Sequence, residues 1–389
     1  MRTFLKYGVR ALIVLAIVVA AVSIWKRDEL QRLMAVNSLF DADRIVHNFS
    51  HMNDAFLNVN VARGEAPITP LTNGDSTSIP IGYDAWVKSR NITSFLVLHD
   101  GQVVHEAYYN DTTPQDLRIS WSMAKSYLSA LLGIVMEEGA IASLDDPVTK
   151  YAPSLTGGAY DAASIRDVLT MTSGVTFNED YLDYDSDINR MGRVLALGGK
   201  MDDFAAELTE TNSAPGARWK YVSIDTHIIG MVIRGATGRD IPSLLSEKII
   251  EPLGVEQAPY YLTDGVGVAF VLGGLNVTTR DYARFGQMIL QDGQWQGKQI
   301  VPADWIADST APSAPTEPGK TQYGYQWWIP SDARPGEFFA RGIYGQYIYF
   351  NKPAGVVIVS TAADRKFREK GRATDDIALF RSFVDGIQN

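Results

Sequence analysis

Apolar and polar positions organise the chain into strands first, then helices, then strands again. Residues 94–98 and 102–109 read as two strands around His99, Asp100 and Gly101. An Asp-Gly pair between such runs signals a hairpin, because both turn residues take positive φ. Residues 121–138 then place Ala124, Leu128, Leu131, Leu132, Val135 and Met136 three and four apart, with Gly139 as a cap; this spacing predicts a largely buried helix. Helical patterns follow at 165–171, 204–209 and 226–236, the last closed by Gly238, with polar loops between them. After a further helix near 281–291, strands return at 338–341, 346–350 and 356–361, with a turn at 352–355. A helix over 375–387 closes the chain.

This order predicts an α/β (α+β) architecture in which the N- and C-terminal parts build one antiparallel sheet flanked by helices, with a mainly helical lobe inserted at about 144–262. A hydrophobic content of 46% over 389 residues suffices for a large core and excludes a disordered chain. The region 91–389 is the expected catalytic domain. Residues 28–90, punctuated by Pro67, Pro70, Gly74 and Pro80, read as a tether and wrap-around arm.

At the N-terminus Arg2, Lys6 and Arg10 precede an apolar run at 11–25. Residues 1–27 therefore read as a signal-anchor or a cleaved signal peptide. Either places the body outside the bacterial inner membrane, facing the periplasm or released into it. A net charge of -10 opposes nucleic-acid binding, which needs clustered cations. Without cysteine there is neither a disulfide nor a thiolate metal site. No H-E-x-x-H and no clustered histidine spacing occurs, so neither metal nor cofactor is implied. Oligomeric state has no signature here.

A serine hydroxyl needs a base beside it to act as a nucleophile. His47, His51, His99, His105 and His227 lie in no nucleophile context, and no G-x-S-x-G elbow occurs. The pattern S-x-x-K occurs at Ser23 with Lys26 and at Ser122 with Lys125. Chance alone supplies roughly one or two such pairs in a chain of this length, so context must choose. The first pair straddles the end of the apolar run. The second opens the buried helix, where a separation of three puts both side chains on one face. There the unpaired N–H groups of the first turn and burial both lower a lysine pKa toward that of a useful base. The competing explanation is a helix-capping Ser122 with Lys125 reaching for solvent.

Trp121-Ser122-Met123-Ala124-Lys125-Ser126, Tyr221-Val222-Ser223 and Gly342-Ile343-Tyr344-Gly345-Gln346 together resemble the three motifs of the penicillin-recognising serine hydrolases, the superfamily of serine beta-lactamases, D,D-peptidases and related esterases. Leu144-Asp145-Asp146-Pro147-Val148 and residues 169–174 are similar to that group as well. The resemblance implies a beta-lactamase/transpeptidase-like fold, Ser122 as nucleophile, and Lys125 and Tyr221 as general acid/base. It also implies an oxyanion hole from the backbone N–H groups of Ser122 and Gln346, with Gly345 on the same strand.

Two departures bear on substrate. Ser223 replaces the asparagine of Tyr-x-Asn, and Ile343 replaces the cation that would hold a carboxylate. With Asp225 and Thr226 following, the second motif looks like that of the branch containing 6-aminohexanoate-dimer hydrolases and carboxylesterases, which implies a small ester or linear amide as substrate. A beta-lactamase or D,D-peptidase, and a non-catalytic membrane-anchored binding domain, stay open as alternatives. The acidic insert at 177–187, with Tyr181, Asp183, Tyr184, Asp185 and Asp187, is expected to overhang the pocket or to be a solvated loop. Trp327 and Trp328 are candidates for the pocket wall or the core.

Overall fold

A computed structural model describes residues 2–388; the side chains of 2–5, 9, 11, 23 and 28, Arg2 and Ser23 among them, lie outside the described part. Seven strands form the main sheet: β1 (Ile92–His99), β2 (Gln102–Tyr108), β3 (Gln322–Tyr323), β4 (Trp328–Ile329), β5 (Glu337–Gly342), β6 (Gln346–Asn351) and β7 (Val356–Ala362). Their order is β2-β1-β7-β6-β5-β4-β3, with antiparallel pairing throughout. The N-terminal hairpin thus joins the C-terminal meander through β1 and β7, as Val359 opposite Leu96 shows. The β1–β2 turn has Asp100 at φ +48° and Gly101 at φ +79°, the doubly positive geometry that Asp-Gly favours.

Helices α3 (Tyr83–Arg90) and α8 (Arg372–Gln388) cover one face of the sheet, where Trp86, Phe95, Phe380 and Phe383 form an aromatic core. Helix α4 (Ala124–Glu137) lies within the larger core, as does α7 (Thr279–Leu290), which packs on the other face of the sheet. The segment between holds helices, among them Ile165–Leu169, α5 (Asp187–Ala196), Met201–Ala206 and α6 (Ser223–Thr237). Ser164 and Asp167 make a capping box on the first, and Gly238 at φ +65° ends α6.

The arm is wound onto the body. Asn58–Asn60 pairs with Tyr260–Leu262. Residues 72–77 run along β2, where Val103 N–H donates to Thr72 O at 2.8 Å and Thr77 N–H to Val104 O at 3.1 Å. Helix α1 (Arg2–Trp25) leads into α2 (Arg27–Asn37). Among the described residues no helix is long and apolar enough to cross a membrane. The apolar run has 15 residues, 11–25. At a 1.5 Å rise it reaches about 22 Å, short of the ~30 Å hydrocarbon layer.

Candidate active site

Ser122 lies in a single 3-10 turn, Trp121–Met123, that joins a short strand to α4. The strand is anchored by Ser120 N–H on Leu275 O and by Tyr282 Oη on Arg118 O, both at 2.8 Å. Trp121 holds φ +42°, a strained value for a side chain of this size. Its ring is enclosed by Phe49 at 5.5 Å, Phe40 at 6.0 Å and Tyr344 at 6.2 Å. Packing thus fixes the residue before the nucleophile. One residue beyond Lys125, Ser126 Oγ donates to Gln326 O at 2.8 Å and ties the first turn of α4 to the returning chain.

Lys125 is 1% exposed, and its Nζ donates to Leu272 O at 2.9 Å. Burial lowers its pKa to about 7, against the opposing pull of Glu179 and Asp225. Tyr221 stacks on Trp328 with ring centroids 5.3 Å apart, and Lys125 Nζ stands 5.7 Å from the Tyr221 ring centroid. Burial and then Glu179 push the Tyr221 hydroxyl well up, while Ser122 and Ser223 draw it down. The hydroxyl therefore stays protonated near neutral pH.

Beneath these groups lies Glu179. Its carboxylate accepts from the Ser223 N–H at 2.5 Å, the Ser223 hydroxyl at 3.2 Å and the Tyr181 hydroxyl at 3.3 Å. Burial raises its pKa despite these bonds and the nearby Lys125. Asp225 is fully buried, accepting from Tyr160 at 2.7 Å and Ser173 at 2.8 Å through one oxygen. Its other oxygen has no partner among the described residues, and burial pushes its pKa up to about 8.

The β5–β6 turn closes the site. A side chain at Gly342 would bring a Cβ to 2.5 Å from Ser120 O, so glycine lets β5 approach the nucleophile's backbone. Tyr344 and Gly345 turn the chain at φ +61° and +89°. Gln346 is buried, and its side chain binds Ile343 O at 3.1 Å and Ala362 at both N–H (3.1 Å) and O (2.8 Å). Ile343 lines both cavities that reach Ser122, whereas Gly345 and Gln346 line neither. Among the described residues the backbone N–H groups of Ser122 and Ile343 have no acceptor.

One cavity, of about 410 Å³, is bordered by Tyr221, Trp328, Arg341, Phe367 and Arg368. The other, of about 430 Å³, is walled mainly by apolar side chains of α2, α5 and the 177–187 insert. They meet at Ser122, Tyr181 and Ile343. Trp327, by contrast, is a core residue packed edge-on against Phe338 and Phe350.

The family model described as beta-lactamase matches residues 88–380. The chain belongs to the beta-lactamase family. Among its relatives, the 6-aminohexanoate-dimer hydrolase of Paenarthrobacter ureafaciens is 30% identical over 284 residues, 69% of this chain and 72% of that one. A candidate 6-aminohexanoate-dimer hydrolase from Bacillus anthracis superposes with a TM-score of 0.78 at 23% identity, over 90% of this chain and 96% of that one. The octameric penicillin-binding protein homologue of Pyrococcus abyssi gives 0.57 at 19% identity, over 77% and 75%. Both structures show the expected fold, and the chain is a hydrolase of the beta-lactamase family.

Against the sequence reading, the beta-lactamase fold brings Ser122, Lys125, Tyr221, Ser223 and Ile343 together and leaves Gly345 and Gln346 behind the turn. Two site residues went unread. Glu179 is inside the acidic insert but looks like its solvated neighbours until burial separates them. Arg341, two positions before Ile343, supplies a cation where the motif position holds none. Its guanidinium makes no ion pair or hydrogen bond among the described residues and rests 5.7 Å from the Tyr347 ring centroid.

Proposed function

We propose that the chain is a serine hydrolase cleaving small carboxylic esters or linear amides through an acyl-enzyme on Ser122. The observation that carries this reading is Lys125, sealed from water three residues after a half-exposed serine and brought to a pKa of about 7. At neutral pH a large share of it is free amine. Nζ takes the proton of Ser122 as Oγ bonds to the substrate carbonyl carbon. The resulting oxyanion is received by the free N–H groups of Ser122 and Ile343, so Ile343 takes the place expected of Gln346. As the C–O or C–N bond breaks, the leaving group takes a proton from Tyr221, which Lys125 restores. Water then attacks the acyl-enzyme carbonyl, releasing a carboxylic acid and returning the proton to Ser122. The relative named as a 6-aminohexanoate-dimer hydrolase supports linear amides within this reading.

A fluorophosphonate is expected to label Ser122, mapped by mass spectrometry, and Ser122→Ala to abolish turnover of p-nitrophenyl acetate. Full activity in that variant overturns the proposal. Arg341 favours a second reading, a carboxylate-bearing acyl donor such as a beta-lactam. Stable labelling of Ser122 by a fluorescent penicillin would select it.

A further inference from the structure

The apolar cavity at Ser122 has no role in the chemistry just described. Its walls come from several separate segments, the 177–187 insert among them. Val36 of α2, with Leu39 and Phe40 just after it, forms one side; Ile188, Met191 and Leu195 of α5 form the second; Phe270 and Leu272 form the third. Spacing of three and four residues puts the α5 side chains on one face. The Asn48 side chain fixes the α2 side by donating to Ser38 O and Leu39 O, each at 3.1 Å. Phe40 stacks on Tyr344 at 5.1 Å and so couples this wall to the turn beside Ser122.

No carboxylate lines the cavity, and its single charged side chain, Arg193, is occupied with Tyr184, donating to Tyr184 O at 2.6 Å and lying 4.0 Å from its ring centroid. Leu182 and Tyr184 stand at the rim with exposures of 86% and 71%, an apolar approach to the cavity. Tyr221 borders the other, more polar cavity and not this one. A leaving group protonated by Tyr221 departs on the polar side, which leaves the apolar cavity to the acyl side.

The geometry points to a binding site for a linear, uncharged acyl chain in the cavity formed by α2, α5 and the 177–187 insert. This inference rests on the serine hydrolase reading for its orientation and names the substrate class: esters or amides of medium-chain fatty acids. A cavity of about 430 Å³ admits on the order of ten methylene-sized groups, if each takes roughly the 30 Å³ of a water molecule. An acyl chain ending in an ammonium finds no counter-charge there.

The natural probe position is Gly192 on α5. It lines the cavity, and a Cβ built there meets nothing within 4 Å. The leucine of Gly192→Leu is therefore expected to occupy the cavity, and in a helix interior leucine is the better residue. For the full chain acting on p-nitrophenyl esters from C2 to C12, kcat/KM is expected to rise roughly threefold to fourfold per methylene until the cavity is full. Gly192→Leu is expected to lose at least tenfold more kcat/KM on octanoate than on acetate. A profile that is flat beyond C4, equal losses on all chain lengths in Gly192→Leu, or a preference for 6-aminohexanoyl over hexanoyl esters overturns the inference. Binding of octan-1-ol to Ser122→Ala, followed by tryptophan fluorescence, reads the cavity without catalysis. Binding weakened at least tenfold by adding Gly192→Leu supports the chamber even if no ester is turned over, an outcome that would sink only the hydrolase reading. Absent or unchanged binding sinks the chamber itself.

Discussion

Glu179 grips Ser223 through both carboxylate oxygens, one on the backbone N–H and one on the hydroxyl. Ser223 is the first residue of α6, so this clamp fixes the start of the helix that follows Tyr221. An anion at a helix N-terminus is favourable, but this one also faces Lys125 and raises the lysine pKa. Replacing it by a neutral isostere removes that pull. In Glu179→Gln, the acid limb of kcat/KM is expected to move to lower pH by roughly half to one unit, with kcat at its plateau changed less than tenfold. An unmoved limb would show that Glu179 only holds the helix.

On the proposed mechanism Lys125 sets that limb in the native protein. Burial lowers its pKa to about 7, so the free amine grows as pH rises through 7 and is lost below it. The expected kcat/KM falls about tenfold per pH unit on the acid side and levels above pH 8. Because Glu179 titrates beside it, the midpoint belongs to the pair. Lys125→Arg keeps the cation, cannot lose its proton near neutrality, and is expected to lose at least a thousandfold in kcat. A pH profile flat from 5 to 9 would remove Lys125 from the base role.

Asp225 predicts a stability effect of definite sign. Burial pushes its pKa up to about 8, so the folded protein keeps a proton that the unfolded chain gives up near pH 4. The stability this provides is complete below about pH 4 and is lost as pH rises toward 8. Asp225→Asn cannot lose it. The Tm difference between Asp225→Asn and the native chain is expected to move in the variant's favour by several degrees from pH 5.5 to 8, then to level. Lys125 acts in the opposite direction above pH 7, and because the Asp225 charge holds the lysine pKa up, loss of that charge in the variant adds to the difference in the same sense. A constant difference in Tm across this range would mean that Asp225 is ionised in the folded state.

What the sequence made legible follows from how local each signal is. The β1–β2 hairpin could be read because Asp100 and Gly101 suit positive φ, and α4 because its apolar positions repeat every three to four residues. The returning strands were visible for the same reason. The arm could not be read as part of the site, since Phe40 meets Tyr344 only after the whole chain has folded between them. Glu179 was hidden among Asp180, Asp183 and Asp185, carboxylates like it that differ in being exposed. The proposed oxyanion donors are backbone groups with no side-chain signature, and the turn at Tyr344 and Gly345, which carries the chain past Ser122 before β6 begins, is likewise a backbone feature.

Arg341 decides how the polar cavity treats charge. The guanidinium borders the same cavity as Ser122 and Tyr221; the one carboxylate lining that cavity, Glu369, lies near Lys366 and Arg372 instead. A cation held over an aromatic ring in a half-buried cleft is available for an anionic leaving group. Arg341→Gln is expected to raise KM about tenfold for an ester whose alcohol carries a carboxylate, to leave kcat within about twofold, and to spare the matched uncharged ester. Rising ionic strength should erode the native preference and leave the variant unaffected, because a partly exposed pair is screened by salt. If instead both esters lose equally in kcat, Arg341 acts by packing on Tyr347 and keeping β5 in place, and the cavity reads shape rather than charge.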